Sequence, residues 1–511
     1  MNDFEQLVDL ASARLGGTVI TANDDFFAEK ENLVKDEAPI WIADRYTDRG
    51  KWMDGWESRR RRTPGHDWAV VKLGMPGVVR GVVVDTAFFK GNYPEACWIE
   101  GAVLPHGASA DHVLSESTPW TEILPRTLLQ GDTRNAFAIA APWRFTHLKL
   151  HIDPDGGVAR LRVHGEVVPD PAVVAGPGDA PPGAVPQVDL AALEHGGQVV
   201  AASDMFFGGR HHLVLPGASR GMHDGWETRR RRGLGHDWAL VKLAARGTID
   251  RAVVDTSYFK GNAPGSCWIE VADAPGATLE ELTATSFPWK PLLASTPLQP
   301  HDVREFTDAL ESVGPVTHAI LRIHPDGGVA RLRLFGRIDA TGRRALALAR
   351  LDALVPSEAE AAFLACLGSK RFAATLVAGQ PHGSEPALTH AVERAMDALC
   401  EADWREAFAA HPRIGASPHG GPGSSAHWAR EEQAGAAGAK ADVRRALEEG
   451  NRAYEARFGW IFLICASGKS AEEMLAALGA RMQNDPAAEL LVAIAEQKKI
   501  TRLRLEKLLT S

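Results

Sequence analysis

The first two thirds of the chain alternate short apolar stretches with turn residues. Examples are GTVITA, WAVVKL, GVVVDTAFF, CWIEGAVL, HLKLHI and VARLRVHG, with Pro-Asp-Gly-Gly turns at 154–157 and 325–328. Short runs rich in β-branched and aromatic residues, bounded by Gly, Pro and Asp, predict β-strands, and helical periodicity is scarce here. We therefore predict all-β sandwiches, in which LKLHIDPDGGVARLRVHG forms an antiparallel hairpin with a Gly-containing loop.

The pattern changes to helical spacing after about residue 350. Segments such as EAEAAFLACLGS, ALTHAVERAMDALCEADWREAFAAH and AEEMLAALGARMQN carry helix-forming residues with apolar positions three and four apart. The segment PAAELLVAIAEQKKITRLRLEKLL is the clearest amphipathic helix in the chain. An all-α domain is therefore predicted to begin near Val355.

The β-rich region is an internal repeat. DGWESRRRRTPGHDWAVVKL at 54–73 returns as DGWETRRRRGLGHDWALVKL at 224–243, with differences at only four of 20 positions. DTAFFKGNYPEACWIE at 85–100 likewise returns as DTSYFKGNAPGSCWIE at 255–270. Each copy is far longer than a solenoid repeat, so we infer that a whole domain was duplicated.

The repeat defines the expected domain boundaries. The first copy has about ten extra residues between 35 and 53, which we predict form a surface loop. A segment rich in Pro, Gly and Ala separates the copies and suits a linker. The predicted organisation is repeat 1 at 1–167, a linker at 168–190, repeat 2 at 191–340 and the helical domain at 355–511.

Composition and charge limit the class of protein. The chain has 511 residues, of which 45% are hydrophobic and 24% charged, which predicts several domains with well-packed cores. Its net charge is -9, so the arginine runs are local features that favour steering of a small anion and argue against a general nucleic-acid role. The five cysteines include no CxxC, and neither a leader sequence nor a transmembrane stretch is evident. We expect a soluble, cytoplasmic protein.

Each copy places four consecutive arginines, Arg59 to Arg62 and Arg229 to Arg232, beside acidic and histidine residues. Charge runs usually form a solvated strand or turn, and this structural interpretation stays open for the arginines alone. Guanidinium groups bind carboxylates, and ureido groups need both donors and acceptors, so the mixture suits a small anionic, amide-rich substrate. For Trp56, Trp68 and Trp98 we expect ordinary core packing.

The motifs DGWE(S/T)RRRR, GHDWA(V/L)VKL, FKGN and CWIE recur in the same order in both copies, within residues 16 to 337. They resemble the motifs of allantoicase (allantoate amidinohydrolase). The resemblance implies two jelly-roll, galactose-binding-like β-sandwiches that hydrolyse allantoate to ureidoglycolate and urea. The mixed charges of the repeated segments agree with that substrate.

Both copies keep residues that such a hydrolysis needs. We predict that His66 or His236, or an acidic residue, activates water, while Arg or Lys groups such as Arg60 and Arg230 hold the carboxylate. The other candidate substrate contacts are Asp67, Asp237, Lys90, Lys260, Asn92, Asn262, Glu100 and Glu270. Which copy is catalytic stays open, and so does a divalent metal, because no compact HxxxH-type ligand motif is present.

Four motifs of the helical region occur in a fixed order: HPRIG at 411–415, EQ at 432–433, RFG at 457–459 and LRL at 503–505. They resemble 2-oxo-4-hydroxy-4-carboxy-5-ureidoimidazoline (OHCU) decarboxylase, which forms (S)-allantoin in uric acid breakdown. The resemblance implies that His411 is the catalytic acid/base and Glu432 its partner. The implied substrate contacts are Pro412, Gln433, Ile464, Ala466, Gly468 and Arg504. The family usually has Ser where this chain has Ala429, so one hydroxyl contact is missing.

The sequence thus predicts a bifunctional enzyme of purine catabolism. We expect the ureides allantoate and OHCU as its small-molecule partners, no cofactor for the decarboxylase, no nucleic-acid or membrane partner, and a homo-oligomer. Two alternatives stay open. The sandwiches could be a ligand-binding module attached to a decarboxylase, since fold alone allows it, or the helical domain could be structural beside an active allantoicase.

Overall fold

The chain folds into two compact units, which a computed structural model describes at residues 3–105, 107–170, 174, 187–411, 441–466 and 468–510. The first unit, Met1–Leu346, is built mainly from β-strands, and the second, Ala347–Ser511, from helices. The predicted fold class, two tandem all-β sandwiches followed by an all-α domain, is confirmed. No described helix is long and apolar enough to cross a membrane.

The two repeats contain corresponding sets of strands. In repeat 1 they are β1 (Val8–Asp9), β2 (Thr18–Ala22), β3 (Tyr46–Thr47), β4 (Gly50–Lys51), β5 (Trp56–Glu57), β6 (Asp67–Asp85), β7 (Ala96–Ala102), β8 (Thr121–Leu128), β9 (Arg134–Ala138), β10 (Arg144–Asp153), β11 (Gly157–Val158) and β12 (Arg160–Val167). In repeat 2 they are β13 (Val188–Asp189), β14 (Gln198–Ala202), β15 (Trp226–Glu227), β16 (Asp237–Asp255), β17 (Ser266–Ala272), β18 (Lys290–Pro297), β19 (Val303–Phe306), β20 (Val316–His324), β21 (Gly328–Val329) and β22 (Arg331–Ile338).

One long strand organises each sandwich by contributing to both of its layers. β6 runs for 19 residues. Residues 69–72 lie between β2 and β10, whereas residues 81–85 lie between β12 and β9, and all of these pairs are antiparallel. β7 and β8 extend the first layer, and β1 extends the second. β16 does the same in repeat 2, so the duplication preserves the topology.

The predicted hairpin between β10 and β12 is wrong. These two strands flank β6 in the order β12-β6-β10 and do not pair with each other. The Pro-Asp-Gly-Gly segment between them leads into β11, which pairs with β5. The connection is a crossover between layers, and local sequence cannot distinguish it from a tight turn because both use the same Gly-rich backbone chemistry.

Helices form the second unit. Two short helices belong to the sandwiches, α1 (Ala110–Val113) and α2 (Leu279–Thr283), and α3 (Ala340–Asp352) follows repeat 2. The remaining described helices are α4 (Pro356–Cys366), α5 (Lys370–Ala378), α6 (Glu385–Asp397), α7 (Glu401–Ala409), α8 (Ala441–Phe458), α9 (Ala471–Arg481) and α10 (Pro486–Leu508). Their apolar faces meet in a core that includes Phe363, Phe372, Phe408 and Tyr454.

Each sandwich contains a buried arginine–aspartate pair. Arg160, at the start of β12, is 1% exposed, and its Nη2 lies 2.9 Å from Asp54 Oδ2. Its Nη1 also donates to the main-chain oxygen of Asp54 at 3.0 Å. Burial alone would raise the pKa of Asp54, but the hydrogen bond from Arg160 brings it below its ordinary value. Because a buried charge is costly unless it is paired, this contact fixes the DGWE segment against the sheet.

In repeat 2 two further arginines join the equivalent pair, Arg14 and Arg220, and Arg220 Nε lies 3.6 Å from Asp224 Oδ2. Arg331 Nη2 lies 3.1 Å from Asp224 Oδ2, and Arg14 of repeat 1 reaches the same oxygen at 3.2 Å. Burial opposes ionisation of Asp224, but Arg14 and Arg331 lower its pKa to about 2. A residue of the first sandwich therefore completes the buried ion pair of the second.

We predict that acid destabilises the sandwiches through buried histidines. Burial lowers the pKa of His147, and of its counterpart His318, to about 4. Unfolded histidine titrates near ~6.5, so between that pH and about 4 the unfolded chain binds more protons, and each residue removes up to ~1.4 kcal/mol of stability per pH unit. Calorimetry should therefore give a lower Tm for the sandwich unit at pH 5 than at pH 7.

His147→Asn isolates this effect, because Asn does not titrate and can replace the ring nitrogen that lies 2.8 Å from Thr146 Oγ1. The variant should lose part of the decline in Tm between pH 7 and pH 5. His223→Asn, at an exposed position, is the control and should retain the full decline. An equal decline in both variants would contradict this explanation.

Candidate functional site

Within the described residues, each four-arginine segment contains two arginines in ion pairs and exposed arginines without one. Arg59 pairs with Asp24 at 2.6 Å, and Arg61 pairs with buried Asp67 at 2.8 Å. Arg60 and Arg62 are exposed, and within the described residues neither forms an ion pair. Repeat 2 repeats the arrangement with pairs Arg229–Asp204 and Arg231–Asp237 and with exposed Arg230. Alternate arginines therefore anchor the segment and leave cations at its surface.

Three side chains of repeat 1 form a hydrogen-bonded row that we call the histidine chain: His66, His151 and Glu100. His66 Nε2 lies 2.9 Å from His151 Nδ1, and His151 Nε2 lies 2.8 Å from Glu100 Oε2. The row forms because β10 lies between β6 and β7, which places His151 beside both of its partners. Trp98 stacks on the His151 ring with centroids 4.5 Å apart and planes 5° apart, so the expectation of ordinary core packing is wrong for Trp98.

Both imidazoles of the histidine chain favour the neutral form. Burial, followed by the charge of Lys149, lowers the pKa of His151 to about 3. Burial is also the main reason that the pKa of His66 is below its ordinary value; the charges of Asp153 and Asp67 oppose this shift, and those of Lys149 and Arg61 act in the same direction as burial. At neutral pH the two rings of the histidine chain can therefore form their hydrogen bonds while they remain uncharged.

Repeat 2 has a different row at the same place. Arg322 occupies the position of His151, and its Nη1 lies 3.1 Å from His236 Nε2. Its Nε donates to Glu270. Trp268 remains next to the histidine, with ring centroids 4.8 Å apart. The outer two members of the row are thus retained, and the central member has changed.

A cavity of about 630 Å³ lies at the FKGN motif of repeat 1. We call it the FKGN pocket; its lining residues are Phe27, Trp41, Lys51, Met53, Glu57, Phe88, Lys90, Gly91 and Asn92. Small-molecule sites typically enclose about 300–1,000 Å³ and combine apolar walls with a few polar groups, and this pocket has both features. It can accept a small acid that carries amide groups.

The polar groups of the FKGN pocket are held by neighbouring side chains. Asn92 Nδ2 donates to Glu57 Oε1 at 2.7 Å, and burial raises the pKa of the Glu57 carboxyl. Lys90 lies 3.7 Å from Asp132 and is 78% exposed, so its ammonium group can reach a ligand. Phe88 has a φ of +69°, a left-handed conformation that is rare for an aromatic residue and is often found at functional sites.

The extra residues of repeat 1 form the roof of this pocket. Residues 36–52 are a mostly exposed surface loop, as predicted, with a small hairpin of β3 and β4. Lys51 lies over the rings of Trp41 and Tyr46, 4.8 and 4.7 Å from their centroids. Repeat 2 has only seven residues at the equivalent place, 216–222, and no counterparts of Trp41 and Lys51.

The predicted site residues of each sandwich therefore fall into two groups. Lys90 and Asn92 line the FKGN pocket, whereas His66 and Glu100 belong to the histidine chain. Asp67 is buried and binds Arg61; as a substrate contact it stays a prediction. The equivalent residues of repeat 2 follow the same division: Asp237 pairs with Arg231, Asn262 donates to Glu227, Lys260 is exposed in the second FKGN motif, and Glu270 pairs with Arg322.

Sequence reasoning missed three residues of these groups. His151 was missed because candidates were chosen among residues shared by both copies, and repeat 2 has Arg322 there. Trp41 belongs to an insertion without a counterpart, so the repeat gave no signal for it. Glu57 belongs to the DGWE motif and was recognised as an acidic neighbour of the arginine run, but it was not named as a substrate contact.

The helical unit places His411 just beyond α7, near the positive charge of Arg504. Burial, followed by Arg504, lowers the pKa of His411 to about 3, and Gln497 opposes this shift. Its Nε2 is buried and has no hydrogen-bond partner within the described residues. A neutral ring nitrogen beside a cation is suited to accept a proton from an anionic ligand that the cation binds.

One face of α10 carries buried polar residues toward this histidine. Gln497, Thr501 and Arg504 follow a helical spacing of four and three, and all three are buried. Both polar atoms of the Gln497 amide have no partner within the described part of the chain. Sequence analysis did not identify Gln497, because a single polar residue in an amphipathic helix gives no distinctive signal.

The predicted contact loop of the helical unit is held from two sides. Glu496 accepts a hydrogen bond from the main-chain nitrogen of Cys465 at 2.8 Å, and Arg481 donates to the main-chain oxygen of Leu463 at 2.6 Å. Arg481 is itself paired with fully buried Glu489 at 2.6 Å. Ile464 and Ala466 are thereby fixed in the core, and Gly468 follows with a left-handed φ of +77°.

Four of the residues named for the helical site, Pro412, Ala429, Glu432 and Gln433, lie outside the described residues. In the part of the chain that the structure describes, no group of three or more His, Cys, Asp or Glu side chains is arranged to hold a metal ion.

Known families and structures match both units. The allantoicase repeat family matches residues 8–168 and 188–339, and the OHCU decarboxylase family matches residues 352–506. The probable allantoicase of Photobacterium profundum is 46% identical over 334 residues, which cover 65% of this chain and 97% of that protein.

Two solved structures are similar to parts of this chain. The crystal structure of allantoicase from Saccharomyces cerevisiae is 33% identical, with a TM-score of 0.53, and the match covers 65% of this chain and 93% of that one. A crystal structure of OHCU decarboxylase determined in the presence of (S)-allantoin is 38% identical, with a TM-score of 0.26, over 29% of this chain and 97% of that one. The chain therefore belongs to the allantoicase family and carries an OHCU decarboxylase domain after its two allantoicase repeats, which makes it a bifunctional enzyme of purine catabolism.

Proposed function

We propose that the sandwich unit hydrolyses allantoate to ureidoglycolate and urea, and that the helical unit decarboxylates OHCU to (S)-allantoin. One observation carries the first assignment: repeat 1 combines a neutral imidazole in an ordered hydrogen-bond row with a pocket for a small acid. Gly157 donates to the main-chain oxygen of Asn92 at 2.8 Å, and Asp155 accepts from the main-chain nitrogen of Arg61, which joins the two groups through one loop.

The pocket supplies the groups that allantoate requires. An exposed cation, from Lys90 or Arg60, binds its carboxylate, and Asn92 and Glu57 offer a donor and acceptors for its ureido groups. A histidine deprotonates water, whose oxygen forms a bond to the central carbon of allantoate. The C–N bond to one ureido group breaks, its electron pair stays on nitrogen, and the imidazolium returns the proton there, so urea leaves.

The helical unit has groups suited to decarboxylation. Arg504 offsets the negative charge of OHCU, and neutral His411 accepts the proton of its hydroxyl group. The carboxylate leaves as carbon dioxide, and its electron pair delocalises into the imidazoline ring until a proton is returned to carbon. The buried amide of Gln497 offers a hydrogen bond to the ureido group or the ring.

The alternative that the sandwiches only bind a ligand makes a different prediction, because a binding module would release no urea. The possible need for a divalent cation is tested in the same way, by measuring urea release before and after treatment with a chelator and after adding back Mn²⁺, Zn²⁺ or Mg²⁺.

We predict two separable activities in one chain. His66→Asn should lower the kcat of urea release from allantoate by ~10²-fold or more, since general bases contribute about that much, and should leave OHCU decarboxylation unchanged. His411→Asn should lower the rate of OHCU decarboxylation and leave urea release unchanged. Decarboxylation is measured by circular dichroism, which detects (S)-allantoin as it forms.

Each variant is the matched control for the other, because both changes are made in one polypeptide. Wild-type protein that releases no urea with any cation would exclude the hydrolase assignment. Undiminished decarboxylation in His411→Asn would show that the helical unit uses another group.

We also predict different pH profiles for the two activities. A general base must be unprotonated, so activity falls as the pH drops through its pKa. Because the pKa of His66 lies below its ordinary value of about 6.5, the acid limb of kcat/KM for urea release should have its midpoint below pH 6.5. Because the pKa of His411 is about 3, decarboxylation should show no histidine limb between pH 5 and 8. A midpoint above pH 7 for urea release would contradict the role of His66.

A further inference from the structure

The histidine rows of the two repeats differ in the direction of their hydrogen bonds. Both rows begin with a histidine and end with a glutamate, but the central residue is His151 in repeat 1 and Arg322 in repeat 2. Histidine can accept and donate at the same time, whereas arginine only donates. The central residue therefore determines which nitrogen of the first histidine carries a proton.

In repeat 1 the direction follows from the glutamate. Glu100 accepts, so His151 donates from Nε2 and, as a neutral ring, has an unprotonated Nδ1. That Nδ1 accepts from His66 Nε2 at 2.9 Å. The remaining nitrogen of His66, Nδ1, keeps its lone pair and can act as a base.

In repeat 2 the direction is reversed. Arg322 donates from Nη1 to His236, so His236 Nε2 must accept. The proton of neutral His236 then resides on Nδ1, and the nitrogen that faces away from Arg322 is a donor. Protonating Nε2 would place an imidazolium against the guanidinium, so this histidine cannot take up a proton there without losing its partner.

The charges around the two histidines have also diverged. His66 faces the charges of Asp153, Lys149, Arg61 and Asp67. His236 faces those of Arg322, Arg231, Asp237 and Glu270, and repeat 2 has Ile320 and His324 where repeat 1 has Lys149 and Asp153. The roof of residues 36–52 over the FKGN pocket is a second, independent difference, and it also lies in repeat 1.

We propose that repeat 1 alone supplies the base for hydrolysis, at His66 Nδ1, that His151 is the positioning residue that keeps this nitrogen unprotonated, and that Arg322 has removed the equivalent base from repeat 2. This inference rests on the proposed hydrolysis of allantoate. It assigns the chemistry to one member of a duplicated pair whose motifs are nearly identical.

The duplication provides a matched exchange as the test. His151→Arg gives repeat 1 the central residue of repeat 2 and should lower kcat for urea release by ~10²-fold or more with KM changed less than about threefold, because the base is lost and the pocket is intact. His151→Gln should keep kcat within about tenfold of wild type, because an amide can accept from His66 and donate to Glu100. Arg322→His, the reciprocal change, should leave kcat and KM within about twofold of wild type, because repeat 2 also lacks the roof of residues 36–52; a tenfold fall in kcat would contradict the inference.

Near-ultraviolet circular dichroism and Tm establish that each variant is folded. If His151→Arg does not fold, the pair His66→Asn and His236→Asn decides, since only the first should lose urea release. Equal losses of urea release in His66→Asn and His236→Asn would overturn the inference, and so would a wild-type kcat in folded His151→Arg. In either case the proposed hydrolysis would still stand, because the wild-type chain releases urea. Absence of urea release from the wild-type chain would instead overturn the proposed function.

Discussion

A guanidinium group buried in each sandwich must be neutralised, and the position of its carboxylate determines where the loops of the site lie. The Arg160 guanidinium donates to both the carboxylate and the main-chain oxygen of Asp54. It also donates to the main-chain oxygen of Glu37 at 3.0 Å. Asp54 in turn accepts from the main-chain nitrogen of Ile40 at 2.9 Å. One buried pair thus positions the segment that leads to Glu57 and also the base of the roof, because leaving either charge unpaired in the interior would cost several kcal/mol, on the order of 3–5.

Small differences between the two sandwiches have large chemical effects. The sandwiches share their topology, their buried ion pairs and most of their motifs, yet a single exchange near the ends of β10 and β20 reverses a row of hydrogen bonds. An insertion supported by Asp54 closes a pocket on one copy. The scaffold is conserved between copies because many contacts depend on it, whereas the row and the roof each depend on few residues and could change independently.

The sequence predicted the order of fold classes and much of the site, for physical reasons. Strand and helix periodicities differ, and a duplicated domain repeats its motifs at a fixed offset. His66 and Glu100 were identifiable because both copies retain them, but His151 was hidden by the same criterion. The layer crossover after β10 could not be predicted, since it depends on which strand of the other layer is adjacent. Gln497 is defined only by burial and the absence of a partner among the described residues, which no sequence pattern reports.

The contact of Arg14 with Asp224 has an evolutionary consequence. In an ancestral single domain, the counterpart of Asp224 had to be satisfied by groups of its own copy, as Asp54 is now. In this chain the second copy has come to rely on a cation contributed by the first. A gene fragment that encodes only the second copy would therefore lack one of the three arginines that pair with this carboxylate. The duplication has thus become difficult to reverse, and the two copies are inherited as one unit even where their chemistry has separated.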